Sequence, residues 1–504
     1  MRYLLNSSQM KHVDYYSINN IGIPSMVLME RAALAVADEL EGRFDNGKRI
    51  LVVCGTGNNG ADGLAIARIM FQRGYRTDIM LLGDSDMGTE EYRQQLNIIK
   101  NMGIHYGNIN ELSEYIVKGR YDICVDAIFG IGLSRTPMGE YYDAIEYINM
   151  SECFVAAVDI PSGISADTGM LYGVAVRADI TVTFGYGKLG MTLYPAAQYC
   201  GEIIIKDIGF VSINATEQRS NVFTYDKADL CLLPKRNPNT HKGSFGRVLV
   251  IAGSEEMSGA AYLSAKAAYR MGAGLVEVLI PQNNAGIIRS LLPEAIVTGY
   301  SPEENFIERI NTAMTNADVI VTGPGMGTKA YVKDIVSYVM QYSEVPLIID
   351  ADALNTMASN RQLLSKLNTR MVVTPHIKEM ERLTESKISD IKNNPVDTAK
   401  TFSNITGAIC VLKDARTVVA SKEGDVYINL SGNEGMATGG SGDVLTGIIA
   451  GLAAQKLELY RAATLGVYIH GLAGDKAKEQ LGSYSLMAGD IIENISRVTS
   501  EDLI

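Results

Sequence analysis

The residues best suited to chemistry are clustered in the last fifth of the chain. The run Gly432-Asn433-Glu434-Gly435-Met436-Ala437-Thr438-Gly439-Gly440-Ser441-Gly442-Asp443 places glycine at nearly every second position ahead of a helix start. Backbone N–H groups in such a loop form a nest for an anion, and the helix N-terminus adds positive potential. That suits a phosphate whose charge grows during transfer, with Asp443 placed to take a proton from an attacking hydroxyl. A plain N-cap would account for Asp443 but not for the glycines before it. Other pieces fit phosphoryl chemistry. Val321-Thr322-Gly323-Pro324-Gly325-Met326-Gly327 would let a substrate approach the backbone, and Asp350-Ala351-Asp352-Ala353-Leu354-Asn355 offers oxygens for a hydroxyl or Mg²⁺. Thr374-Pro375-His376 ends another strand with a lone histidine, a residue as often structural as functional. Lys413-Asp414-Ala415-Arg416-Thr417 reads as a basic turn that suits nucleotide phosphates or an ordinary surface hairpin. With no G-x-x-x-x-G-K-[ST], P-loop chemistry is excluded.

A second set lies in the first half. Leu51-Val52-Val53-Cys54-Gly55-Thr56-Gly57-Asn58-Asn59-Gly60-Ala61-Asp62-Gly63 reads as strand, glycine loop and helix start. Glycines alone would also serve a tight βα turn, but Asn58, Asn59 and Asp62 add polar groups at a strand's C-terminal edge, where ligand crevices form. Val125-Asp126-Ala127-Ile128-Phe129-Gly130 and Val158-Asp159-Ile160-Pro161-Ser162-Gly163 end two further strands in acids. In a parallel sheet these ends share one edge, so Asn59, Asp62, Asp126, Asp159 and Ser162 are expected in one pocket. Each aspartate taken singly reads equally well as a cap or turn residue. Oxygen-only groups of this kind suit a hard cation or proton transfer.

Elements that could hold these loops are visible as periodicity. Apolar runs at Arg49–Cys54, Thr77–Leu82, Asp122–Ala127, Phe154–Asp159 and Asp179–Phe184 alternate with amphipathic stretches such as Gly60–Arg73 and Thr89–Met102. Ser25–Leu40 reads as a helix ahead of the sheet. Alternation restarts at Arg247–Ala252 and runs through Leu275–Ile280, Asp318–Thr322, Pro346–Asp350 and Met371–Thr374, and the chain is helical from Ser441 onward. Continuous apolar strands separated by helices predict mostly parallel sheets covered on both faces. A polar, turn-rich stretch places a boundary between about 211 and 230. The 504 residues carry 45 basic and 57 acidic side chains, which argues against a broad nucleic-acid or anionic-membrane surface. The 49 glycines are a surplus that must sit in particular loops. The six cysteines are scattered without a C-x-x-C pair and the histidines do not cluster, so zinc is not expected. Met1 to Asn20 lacks the apolar core of a secretory leader, and a cytoplasmic protein is expected.

The run Gly57-Asn58-Asn59-Gly60-Ala61-Asp62-Gly63, with the two aspartate loops, resembles the epimerase domain of NAD(P)H-hydrate repair enzymes, in which glycine is usual where Ala61 stands. The resemblance covers residues 1–215 and implies a Rossmann-like domain that interconverts the R and S epimers at C6 of the hydrated nicotinamide. It implies that Asn58, Asn59, Gly60, Ala61 and Asp62, then Gly130, Ile131, Gly132, Leu133, Ser134, Arg135 and Thr136, with Asp159, hold the hydrates NADHX and NADPHX. It assigns K⁺ to Asn59, Asp126 and Ser162, and Asp159 and Lys188 are the candidates for moving protons. Residues 225–504 resemble the ribokinase-like ADP/ATP-dependent NAD(P)H-hydrate dehydratases, through His241-Lys242-Gly243-Ser244-Phe245-Gly246, Gly323–Gly327, Asp350–Asn355, Thr374-Pro375-His376 and Met436–Gly447. That resemblance implies that Ala260, Gly325, His376 and Asp443 contact the S hydrate, with Asp443 as base. It gives Lys413, Asp414, Ala415, Arg416 and Thr417, and Asn433, Glu434, Gly435, Met436, Ala437, Thr438, Gly439, Gly440, Ser441 and Gly442, to ADP with Mg²⁺. Two departures from that pattern are Ile377-Lys378-Glu379 for Pro-Gly-Glu and Asp414 for glycine. The implied protein is α/β, with two consecutive three-layer domains in a homo-oligomer. The rival expectation is a ribokinase-like small-metabolite kinase with a regulatory first domain.

Overall fold

The computed structural model describes residues 1–109 and 120–500. The chain divides between Val222 and Phe223 into two compact units.

In the first unit the strands are β1 (Arg49–Cys54), β2 (Arg76–Leu81), β3 (Tyr106–Gly107), β4 (Ile123–Ala127), β5 (Phe154–Val158), β6 (Ile180–Phe184) and β7 (Glu202–Lys206). They are all parallel and lie in the order β3-β2-β1-β4-β5-β6-β7. The order reverses between β1 and β4, the point at which a doubly wound sheet opens a crevice beyond its strand ends. Strand periodicity sends Ile50, Val52 and Cys54 to one face and Leu51 and Val53 to the other. The first set joins a core with helices α2 (Ser25–Glu41), α3 (Asn58–Gln72) and α4 (Glu90–Met102). The second packs on Ala144, Ile145 and Ile148 of α5 (Glu140–Met150). Three layers result. Helix α1 (Ser7–Asn19) precedes them, its start fixed by a reciprocal Asn6–Gln9 capping box.

The second unit's strands are β8 (Arg247–Ile251), β9 (Leu275–Pro281), β10 (Ile296–Tyr300), β11 (Val319–Thr322), β12 (Leu347–Ile349), β13 (Met371–Val373), β14 (Ile409–Leu412), β15 (Val418–Ala420) and β16 (Val426–Ile428). The order β10-β9-β8-β11-β12-β13-β14-β15-β16 is parallel through β14, and the last two strands turn back antiparallel. The helices that matter for the site are α6 (Ser258–Arg270), α7 (Ala351–Ser359), α8 (Ile377–Thr384) and α9 (Ser441–Ala454). A Cβ added at Gly451 would lie 2.8 Å from the Ala268 carbonyl oxygen and 2.9 Å from the Met271 Cβ. Gly447 has the same relation to Ser264, so part of the glycine surplus serves the crossing of α9 on α6 rather than any ligand. Among the described residues no helix is long and apolar enough to cross a membrane.

Candidate functional sites

The first unit holds a cleft of about 680 Å³ at the switch point. Its floor is the β1–α3 loop. Gly55 and Gly60 are forced: a Cβ on Gly60 would land on the Gly55 carbonyl oxygen, and one on Gly55 would land on that of Ile128. At Gly63 a Cβ would sit 2.5 Å from the Ala127 Cβ and 2.8 Å from the Cys54 sulfur, so this glycine lets α3 lie close on the sheet. Gly57, the α3 N-cap, makes no side-chain cap and faces open space, which leaves the first N–H groups of the helix toward the cleft. Asn58, Asn59, Asp62, Gly130, Ile131, Gly132, Leu133, Ser134, Arg135, Asp159 and Lys188 all line it. Gly60 and Ala61 do not. They form the buried back of the same turn, Ala61 within the core. Thr136 also lies outside the cleft wall, toward Gly173.

Asp159 adopts a φ of 67°, a left-handed backbone rare for a residue with a side chain, at the end of β5. Its Oδ1 accepts from the Lys188 ammonium and, at 3.1 Å, from the Thr183 hydroxyl. Lys188 Nζ donates also to Thr183 Oγ1 (2.7 Å) and to the Phe184 carbonyl (3.2 Å), so its three protons are all taken; its side chain is 1% exposed. Beneath the cleft, Asp126 is fully buried. Its Oδ1 accepts from the Ser162 hydroxyl (2.6 Å) and its Oδ2 from the Ser162 N–H (2.8 Å). Burial nevertheless pushes its carboxyl up to about 6. Asn59, 8% exposed, leaves its amide nitrogen without a partner among the described residues.

Motif reasoning missed the wall that faces this loop. Helix α1 brings Lys11 and Asp14 to the cleft, and α4 brings Glu91. Burial raises the Asp14 carboxyl, with Glu91 and Asp159 adding to it. Burial also raises Asp62 well above the usual carboxylate range, aided by Asp159 and Asp14.

In the second unit the site forms where β11, β12, β13 and β14 end beside the start of α9. Asp350, 2% exposed, accepts from Lys413 Nζ at 2.7 Å and from Thr446 Oγ1 at 2.9 Å, the latter one turn into α9. Ala351 next to it has a φ of 49°, again left-handed. A Cβ on Gly442 would lie 3.2 Å from Lys413 Nζ and 3.7 Å from Asp350 Oδ2, so the ion pair sits directly under the glycine that precedes Asp443. Burial pushes Asp443 up to about 7, with Asp350 adding to the shift and Lys413 opposing it. Burial opposes the charge on Lys413, but Asp350 and then Glu379 raise it on balance. Gly440 enters α9 with a φ of 89° and there is no side-chain cap, so the first N–H groups stay available to an anion.

His376 caps α8, its Nδ1 accepting from the Glu379 N–H at 3.1 Å while Glu379 Oε2 accepts from the His376 N–H at 2.8 Å. Glu379 is the residue that Ile377-Lys378-Glu379 keeps in common with Pro-Gly-Glu, and burial pushes it up to about 7; burial and Lys413 lower His376. Gly325 (φ 60°) and Ala260 meet, a Cβ on the glycine falling 2.9 Å from the Ala260 Cβ. Of the basic turn, Lys413 points inward to Asp350, tied by its N–H to the Pro375 carbonyl (2.8 Å). Asp414 and Ala415 are exposed, Arg416 donates to the Leu430 carbonyl, and Thr417 to that of Asp414. The loop before α9 is held by a residue sequence reasoning did not single out. Asp475 accepts from the Gly432 N–H and from Asn433 Nδ2, both at 2.9 Å. Glu434 turns out to Lys478 and Ser483, Gly435 is buried, and the Met436 thioether lies against Gly432 and Gly474. Ala437 and Gly439 are exposed, Thr438 is half-buried, and Ser441 Oγ meets Nε2 of half-buried His470 at 3.3 Å.

A doubly wound unit with a switch-point cleft, joined to a ribokinase-like unit with an uncapped helix behind a glycine loop, defines an enzyme with two separate sites. Residues 25–190 match the family model of the YjeF-related protein N-terminus, and residues 248–497 match that of NAD(P)H-hydrate dehydratase. The bifunctional NAD(P)H-hydrate repair enzyme Nnr of Moorella thermoacetica is 38% identical, the match covering 97% of this chain and 95% of that one. Its namesake in Escherichia coli is 33% identical over 96% and 91%. A ribokinase-like superfamily protein from Enterococcus faecalis superimposes with a TM-score of 0.50 at 28% identity, covering 57% of this chain and 98% of that one. The chain belongs to the family of bifunctional NAD(P)H-hydrate repair enzymes.

Proposed function

We propose that the first unit interconverts the R and S hydrates of NADH and NADPH, and that the second dehydrates the S form at the expense of ADP. The observation that carries the reading is Asp443, raised to about 7 at an uncapped helix start and set against the Lys413–Asp350 pair. A carboxyl with that affinity for protons accepts one from a weakly acidic hydroxyl near neutral pH. As the C6 oxygen attacks the β-phosphorus of ADP, its proton passes to Asp443, the P–O bond to the α-phosphate breaks, and AMP leaves. The C6–O bond then breaks with phosphate as leaving group, and loss of a C5 proton restores NAD(P)H. Phosphorylation helps because hydroxide is a poor leaving group and phosphate a good one. Ala260, Gly325 and His376 would frame the hydrate, and the 413–417 turn and the 433–442 loop would frame ADP.

In the first unit the 58–62 loop, Gly130–Thr136 and Asp159 would hold the hydrate. Locked by Lys188, Asp159 keeps a fixed negative charge beside the ring. The buried Asp126 carboxylate, with the side-chain oxygens of Asn59 and Ser162, offers the oxygen ligands that suit a hard monovalent cation. K⁺ there would supply charge compensation. Both Asp350 oxygens are engaged, so Mg²⁺ is read as entering with the nucleotide, held mainly by phosphate and water. We place the enzyme in the cytoplasm as a homo-oligomer, an assembly that light scattering tests. The activity test is purified chain with ADP and mixed hydrates. Recovery of the reduced-nicotinamide absorbance with stoichiometric AMP is expected, whereas a phosphorylated product that accumulates would mark a small-metabolite kinase.

A further inference from the structure

Four acids line the first unit's cleft, and two of them are already engaged: Asp159 by Lys188 and Thr183, and Glu91 by the Ser25 hydroxyl at 2.9 Å. Asp14 and Asp62 remain, both half-buried in the cleft wall and with no hydrogen bond or ion pair to any described residue. They come from different helices, Asp14 from the middle of α1 and Asp62 from the second turn of α3. Carboxyls drawn part-way out of water ordinarily find partners inside the protein. Two that do not, in the same cavity, are left for a ligand. The orphaned amide of Asn59, more than nine-tenths buried in the wall of the same cleft, independently marks the place as built to receive a polar molecule.

Resting on the epimerase reading above, we propose that Asp14 and Asp62 form a two-sided acid–base pair that inverts C6. Asp62 gives its proton to the C6 hydroxyl as the C6–O bond breaks, so that water leaves and the ring keeps a positive charge shared by C6 and N1. Water then adds to the other face of C6 and surrenders a proton to Asp14. Nothing is oxidised or reduced, and one oxygen of the substrate is replaced by one from water. The reverse reaction starts with the proton on Asp14. The fixed Asp159 carboxylate faces the ring cation in both directions and exchanges nothing, since its Oδ1 is held by Lys188 and Thr183. Groups facing the pair are Lys11 on α1, Glu91 on α4, Asp159 after β5 and Arg135 in the 130–136 loop.

The test uses the full-length enzyme, with pure R hydrate and no ADP, and separates epimers chromatographically. Asp14→Asn and Asp62→Asn should each slow inversion by about 10²–10⁴-fold, the usual contribution of a positioned acid or base. Dehydration of S hydrate with ADP, read on the same preparations, should stay at the parent rate. The parent enzyme in H₂¹⁸O should place one labelled oxygen in the product per inversion, a readout that needs no variant to fold. Inversion within about 3-fold of the parent in either folded variant, or inversion without label, overturns the pair. A parent enzyme that fails to invert at all overturns the epimerase reading instead.

Discussion

Asp350→Asn tests the electrostatics of the second site directly. Asp443 works as a base only when ionised, so with its carboxyl at about 7 the rate should fall as pH drops through that value. Asp350 raises Asp443 as a like charge, while Lys413, drawn to Asp350 at 2.7 Å, lowers it. Asparagine removes the first influence and leaves the lysine uncompensated, and both changes favour the Asp443 anion. A charge a few ångströms away moves a carboxyl by about 1–3 units, so the acid limb should shift down by roughly that amount. For a shift of about 2 units, the ionised fraction at pH 6 rises from about 9% to about 91%. The absolute rate should drop, because Lys413 loses its anchor beside Gly442. The assay is kcat against pH with S hydrate and ADP both saturating, between about pH 5 and pH 8. An acid limb unmoved within about 0.3 units would refute the reasoning, even if activity fell.

Other outcomes follow from the packing and the cation site. Lys188→Met strands Asp159 and should cost about 3–5 kcal/mol in the first unit's urea transition, whereas the Asp159→Asn/Lys188→Met double variant should lose less. Gly60→Ala drives a methyl into the Gly55 carbonyl and should cost about 1–3 kcal/mol by thermal unfolding, while Gly57→Ala, facing open space, should stay within about 0.5 kcal/mol. Asp126→Asn should abolish any preference for K⁺ over Na⁺ in the epimerisation rate while leaving ADP-dependent dehydration unchanged.

What the sequence made legible was local. A strand, a glycine turn and a helix start are written contiguously in Leu51–Gly63, and a glycine loop and a helix start in Gly432–Thr446, and the structure folds both as such. Parallel pairing then carries Asp126 and Asp159 to one sheet edge, as alternation required. The opposite wall of the first cleft was not legible, because Asp14 reaches it through the packing of α1, and nothing around Asp14 differs from an ordinary surface helix. Lys413 was ambiguous for a similar reason. Its turn reads equally as a surface hairpin until His376 and Lys413 are bridged by the β13–β14 pairing, which turns the lysine inward to Asp350. Asp475 supports the phosphate loop from 42 residues beyond Asn433, a separation at which no motif is visible. The glycine surplus was also only partly interpretable, since Gly447 and Gly451 continue the motif's texture yet serve helix packing.

The three-fold anchoring of Lys188 makes the first site a gauge of its own integrity. An ammonium whose protons are all engaged, on a side chain 1% exposed, cannot react with acylating reagents that modify the exposed lysines of the same chain. Acylation of Lys188 would therefore report opening of the pocket, residue by residue in a mass spectrum. The same measurement distinguishes a variant that has lost chemistry from one that has lost shape, without needing substrate.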